Sequence, residues 1–249
     1  MKAPSEIIDF LESILGIYFY DIRHKHRSAF ILCDSLVELS LKTKILQKSN
    51  YEESKKVPEY KFYKIVEKAN EVAPIPIKLQ KSLLANHDLR NKMQHEYASI
   101  TIDEQKCADA IMNLITLLRK LWGKYSLYDI PAWIDCALRI VKLYSSKGDF
   151  KKRKEFRRTM LNDVEWNYIE VDINSYKFDE KGEEIGSDNL TKGYKSILDE
   201  EGRSPGKQVL NKNEVKIVIG SEEYWSLVVR EYSDKVIRCL DDLEIEELN

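Results

Sequence analysis

The chain has 249 residues, 43% hydrophobic and 33% charged, with 40 Lys+Arg against 42 Asp+Glu for a net charge of −2. That composition excludes a collagen-like or disordered chain and leaves room for a substantial core, even for two domains. The longest uninterrupted apolar run, Ala29 to Cys33, has five residues, far short of a membrane span. The opening Met1-Lys2-Ala3-Pro4 leads into an amphipathic stretch rather than a signal-peptide apolar segment. Cys33, Cys107, Cys136 and Cys239 make no CxxC pair, so neither a disulfide framework nor a zinc ribbon is expected, and the cytoplasm is the expected compartment. The small net charge conceals an asymmetry: residues 1–160 carry 29 Lys+Arg and 20 Asp+Glu, whereas residues 161–249 carry 11 and 22. One end suits a polyanion; the other repels or imitates it.

Up to about residue 160 the pattern is helical. Ser5 is placed to cap a first helix whose Ile7, Ile8, Leu11, Leu15 and Tyr18 recur at helical spacing. A second helix is predicted from about His24 to Gln47, with Ala29, Leu32, Leu36, Leu39, Thr43 and Leu46 along one stripe. Asn50 to Pro58 reads as a polar connection and Glu59 to Ala73 as a third helix, broken by Pro74-Ile75-Pro76. A fourth helix starts near Ile77 and runs to about Tyr97. Thr101-Ile102-Asp103-Glu104 has the form of a capping box, so a fifth helix follows, stopped after Trp122 by Gly123. A sixth begins near Pro131, with Gly148 a break before a basic continuation to about Leu161.

The periodicity then changes. Val164 to Ile173 alternates with one flip of phase, which predicts a strand with a bulge near Tyr168. Asp179 to Gly182 reads as a hairpin turn, Leu190 to Glu200 as a short helix, and Val215 to Ile219 as a second strand. Ser221 caps a last helix with Trp225, Val229, Tyr232, Val236, Cys239 and Leu243 on one stripe.

The most informative stretch is His87-Asp88-Leu89-Arg90-Asn91-Lys92-Met93-Gln94-His95-Glu96-Tyr97. The chain has four histidines, and two of them fall here beside an Arg and an Asn. On a helix His87, Asn91 and His95 share one polar face at i, i+4 and i+8, while Leu83, Leu84, Leu89 and Met93 supply an apolar side. Arg90 lies about 140° round from His95, at ~100° per residue. Its side chain can curl back, the helix can unwind near His95, or both groups can meet a second subunit.

Arg90, Asn91 and His95, extended by Tyr97, resemble the Arg-x4-His-x-Tyr signature of HEPN-superfamily toxins. The segment from Arg27 to Gln47 resembles the long helix that such domains pack beside the motif. The likeness covers about residues 5–122. It implies a HEPN-like helical bundle; with the patterning, the expectation is a mostly α fold, residues 1–162 forming this helical domain with its basic last helix and residues 163–249 a small acidic α+β domain. It further implies metal-independent endoribonuclease chemistry with no cofactor, leaving 2′,3′-cyclic phosphate and 5′-OH ends. RNA would be the substrate, two copies would join their motifs in a homodimer, and the setting would be a toxin–antitoxin or antiviral defence system with a partner protein. The short toxin form is partnered with a nucleotidyltransferase and lacks the acidic domain.

The residues suit that chemistry. The RNA 2′-OH is the nucleophile, His95 can move a proton near neutral pH, and Arg90 offers a fork of donors to phosphate oxygens. Asn91 can orient the histidine or touch the phosphate. Plainer roles stand beside these: a catalytically silent HEPN-like module that binds a protein or nucleic acid, with the same residues forming a packing network. For Tyr97 the plainer role is core packing, for His87 a surface or supporting histidine. Glu38 and Lys42, at i, i+4, form a surface ion pair by default, with support of the motif as the other option. Lys147 to Arg158 places Lys151, Lys152, Arg153, Arg157 and Arg158 among Phe150 and Phe156, either a phosphate-backbone track or a solvated basic face. His24 and His26 diverge at i, i+2 and make no metal pair, and there is no P-loop.

Overall fold

The computed structural model describes residues 3–19, 24–95, 100–123, 130–162, 169–178, 184–194, 208–211, 214–216, 229 and 233–245. The fold is mostly α, a bundle built round one long central helix. In chain order it comprises α1 (Ser5–Phe19), α2 (Lys25–Leu46), α3 (Tyr51–Ser54), a 3-10 turn (Val57–Glu59) and α4 (Phe62–Val72). Then follow α5 (Ile77–His95), α6 (Glu104–Trp122), α7 (Ala132–Tyr144) and α8 (Phe150–Asn162). Among the described residues, no helix is long and apolar enough to cross a membrane.

α2 packs against α1, α4, α5 and α6, so it has more than one inward side. Its buried residues include Phe30, Cys33, Leu36, Val37, Leu41 and Ile45. Leu39 and Leu46, which the predicted stripe turned inward, are instead exposed at 41% and 45%. Ala29 and Leu36 of that stripe are buried as predicted, and the surrounding helices extend the buried face to Cys33, Val37, Leu41 and Ile45 beside it. The predicted connection after α2 contains a short helix, with Asn50 accepting a hydrogen bond from the Glu53 N–H at 3.0 Å.

The proline turn before α5 is built, not merely a break. Asn70 Oδ1 accepts from the Ile75 N–H at 2.8 Å and from Gln80 Nε2 at 3.2 Å, and Gln80 also donates to the Ile75 carbonyl at 2.7 Å. These bonds tie the first turns of α5 to the end of α4. Asp103, not Thr101, caps α6, accepting from the Lys106 N–H at 2.7 Å. Gly123 ends α6 at φ +91°, a left-handed conformation that favours glycine. Between α7 and α8, a Cβ at Gly148 would run into the Leu143 carbonyl, which admits only glycine there.

The later part of the chain departs from the reading. β1 (Ile169–Phe178) and β2 (Glu184–Tyr194) pair antiparallel, the predicted turn at Asp179–Gly182 lying outside the described residues, and β3 (Gln208–Asn211) pairs with β4 (Glu214–Lys216). Leu190 to Tyr194 is strand where a short helix was predicted. The register shift falls between Lys177 and Phe178, while the predicted bulge at Tyr168 lies outside the described residues. An α+β second domain is not supported: the two ladders are separate, and the last helix joins the bundle. This helix, α9 (Ser233–Asp242), packs on α7 and α8 and buries Val236, Leu240 and Ile245. Trp225 and Tyr232 of its predicted stripe lie outside the described residues. An apolar helix face needs a surface to cover, and the bundle supplies it.

Candidate functional site

α5 carries the motif, and α2 and α4 hold it. Asp34, on α2, is buried, and its Oδ2 lies 3.0 Å from His87 Nδ1 and 3.8 Å from Arg90 Nε. The His87 ring lies flat on Phe62 at the start of α4, with centroids 3.9 Å apart and planes 7° apart. Arg90 Nη1 donates to Asn91 Oδ1 at 3.0 Å, and its buried Nε has no hydrogen-bond partner among the described residues. Arg27, at the start of α2, donates to the Met93 carbonyl at 2.9 Å. That carbonyl belongs to the last turn of α5, where intrahelical donors run out, so Arg27 steadies the end that carries His95.

The structure therefore brings His87, Arg90 and Asn91 together on one helix against a buried carboxylate. His95 closes α5; its side chain, and Tyr97 altogether, lie outside the described residues. Glu38 pairs with Lys42 at 2.7 Å on the surface of α2, one turn beyond Asp34. Burial pushes the Asp34 carboxyl up from its ordinary value, while His87 and Arg90 pull it down and Glu38 adds to the rise. Asp34, Phe62 and Arg27 were not singled out from sequence. Asp34 did carry a signal: it is a carboxylate directly after the five-residue apolar run of α2, on the face that packs inward.

The basic helix lies elsewhere in the bundle. α5 packs on α2, α4 and α6, whereas α8 packs on α7 and α9. Lys151 is exposed, and Asp149 accepts from its backbone N–H at 2.7 Å at the start of α8. Lys152 Nζ donates to the Glu244 carbonyl at 2.8 Å and faces the Glu244 carboxylate at 3.9 Å. Arg153 stacks over Phe150 and Tyr144, its guanidinium carbon 5.2 Å and 5.6 Å from the ring centroids. Arg157 and Arg158 are on α8 with side chains outside the described residues. Two cations of the predicted phosphate track are thus already engaged by the chain itself.

Other chemistries find little here. All four cysteines are buried, and burial raises the thiols of Cys33, Cys107 and Cys136, the last to about 12, so these thiols stay protonated. Among the described residues, no three His, Cys, Asp or Glu converge as metal ligands. Comparison with protein-family models, curated proteins and solved structures finds no match.

Proposed function

We propose that this protein is a metal-independent endoribonuclease of HEPN type that acts in the cytoplasm as a toxin or antiviral-defence effector. The observation that carries the reading is Arg90: its side chain is 25% exposed, and among the described residues its one hydrogen bond goes to the adjacent Asn91. A guanidinium oriented at its base with donors still unspent suits a phosphate. The same helix carries His95, and Arg27 braces the turn that presents it.

In the proposed reaction the 2′-OH attacks the adjacent phosphorus and the 5′-oxygen leaves, giving a 2′,3′-cyclic phosphate and a 5′-OH. Arg90 balances the negative charge that gathers on the phosphorane oxygens, and His95 moves a proton. A homodimer would set two copies of α5 across one cleft, and an antitoxin or defence-system protein would be the natural restraint. The Lys152–Glu244 contact supports a regulatory role for the acidic C-terminal segment, which covers part of the basic helix.

The test is cleavage of a generic RNA by the full chain in EDTA. Arg90→Ala and His95→Ala should each lose at least about 100-fold in rate, the usual contribution of one such group. Full activity in both purified variants, or none in the parent, overturns the reading. One observation favours a silent binding module instead: Asp34, Arg90 and Asn91 contact one another as a packing network would. Binding of RNA without cleavage would identify that case.

A further inference from the structure

We propose that His87 is a second acid–base residue of this site and that Asp34 positions it. The inference rests on the ribonuclease reading and deepens it by placing both proton transfers on one helix of one protomer. It stands on geometry that the sequence does not reveal. The ring is held from two directions, by the Phe62 stack and by the 3.0 Å contact of Nδ1 with Asp34 Oδ2. Rotating the imidazole breaks both at once.

A buried carboxylate facing one ring nitrogen keeps a proton on that nitrogen, which leaves the lone pair on the other. Nδ1 therefore carries the hydrogen and Nε2 is the basic atom. The ring makes no other hydrogen bond among the described residues, and the side chain is 16% exposed, so solvent-side chemistry can reach it. A carboxylate behind an imidazole also stabilises the imidazolium as it forms.

Packing alone does not account for Asp34. A histidine that only fills space is satisfied by a ring stack and one neutral acceptor. Withdrawing a carboxylate to 3% exposure is costly, and its two partners are both groups of the motif helix. The charged groups around His87 are Asp34 and, one turn on, Glu38 from α2, and Arg90 from its own helix; α4 contributes the uncharged Phe62 ring.

The step balances without a co-reactant. His87 Nε2 takes the proton of the 2′-OH, the O2′–P bond forms, the P–O5′ bond breaks, and His95 gives a proton to O5′. His87 ends protonated and His95 neutral, and exchange with solvent resets both. The two histidines are eight residues apart, about 12 Å of helix rise, with Arg90 between them.

The experiment uses the full chain in EDTA with two oligonucleotides, each containing one ribonucleotide. The second has sulfur in place of the 5′-bridging oxygen, a leaving group that needs no proton. His87→Asn keeps a donor for Asp34 and lacks Nε2; it should lose at least about 100-fold on both substrates. His95→Ala should be slow on the oxygen substrate and recover on the sulfur one. Asp34→Asn should slow the oxygen substrate and displace the acid limb of the pH–rate profile, which a purely structural role would leave in place. A folded His87→Asn that cleaves at the parental rate, or recovers with sulfur, overturns the proposal alone. A parent that cuts neither substrate overturns the ribonuclease reading and the proposal with it. If His87→Asn does not fold, imidazole 15N spectra of the parent decide: in the neutral ring the proton is expected on Nδ1, and the opposite tautomer refutes the assignment.

Discussion

Two arginines of the bundle are held on opposite terms. Arg139, on α7, has a side chain only 2% exposed, and its Nη2 is spent twice, on Asp241 at 2.5 Å and on the Ile245 carbonyl at 2.6 Å. Arg90, on α5, is 25% exposed, bonds among the described residues only to its neighbour Asn91, and faces Asp34 at 3.8 Å. Arg139 is consumed by its own chain, and its acceptors arrive more than 100 residues later. It is a fastening. Arg90 is oriented without being used up, which is what a group awaiting a phosphate requires. Near-complete burial with two acceptors on one nitrogen marks the structural cation, and partial burial with spare donors marks the candidate for chemistry.

The largest test of this contrast removes residues 233–249 from the full chain. The deletion strips Val236, Leu240 and Ile245 from α7 and α8 and takes both acceptors from Arg139. Each lost apolar side chain is worth about 1.5–3 kcal/mol, and Arg139 is left buried without its acceptors. Thermal unfolding should therefore fall by more than about 10 °C, at 2–4 °C per kcal/mol for a chain of this size. An unchanged midpoint would show that the C-terminal helix is dispensable and that the acidic end can be detached freely.

Asp241→Ala is the finer version, leaving Arg139 buried with one acceptor. It should cost about 3 kcal/mol by urea titration. Arg90→Ala, by contrast, should cost about 1 kcal/mol, because Asp34 loses only the 3.8 Å approach of Arg90 and keeps its 3.0 Å contact with His87. Equal losses at the two sites would dissolve the distinction.

Asp34→Asn reverses the usual sign. In the folded protein the Asp34 carboxyl titrates above its ordinary value of 3.8, because burial disfavours the charge. The neutral form is thus the one the fold prefers, so this group's contribution is fully present below 3.8 and is lost as pH rises through the folded value. Asparagine keeps the shape and removes the charge. Its melting temperature should equal or exceed the parent's at neutral pH, with the gap closing below about pH 4, while cleavage falls. A variant less stable than the parent at neutral pH would mean that the contacts to His87 and Arg90 outweigh burial. At the small end, Glu38→Gln should change stability by less than about 0.5 kcal/mol, as for an i, i+4 pair near the surface. A larger loss would bring Glu38 into the site.

Several elements of the fold were legible in the sequence because their causes are local. Helical spacing located α1, α2 and α5 to within a few residues, and Gly123 ended α6 where predicted. The α6 cap moved from Thr101 to Asp103 because both have the chemistry and only the path of the preceding segment chooses between them. The motif residues Arg90 and Asn91 were legible for the same reason, three and four positions from His87 on one helix. Asp34 and Phe62 were not, since they lie on other helices and nothing in their own neighbourhoods announces the imidazole they hold.

What the sequence determined by itself was periodicity, caps and turn chemistry, each a property of a few adjacent residues. What only the tertiary structure decided was how far the buried face of α2 extends, that α9 closes onto α7, and that one carboxylate binds the motif helix. Those outcomes depend on packing between segments far apart in the chain. A helix apolar on more than one side, or a polar group with several possible partners, has no local preference to resolve; the neighbours that exclude water make the choice.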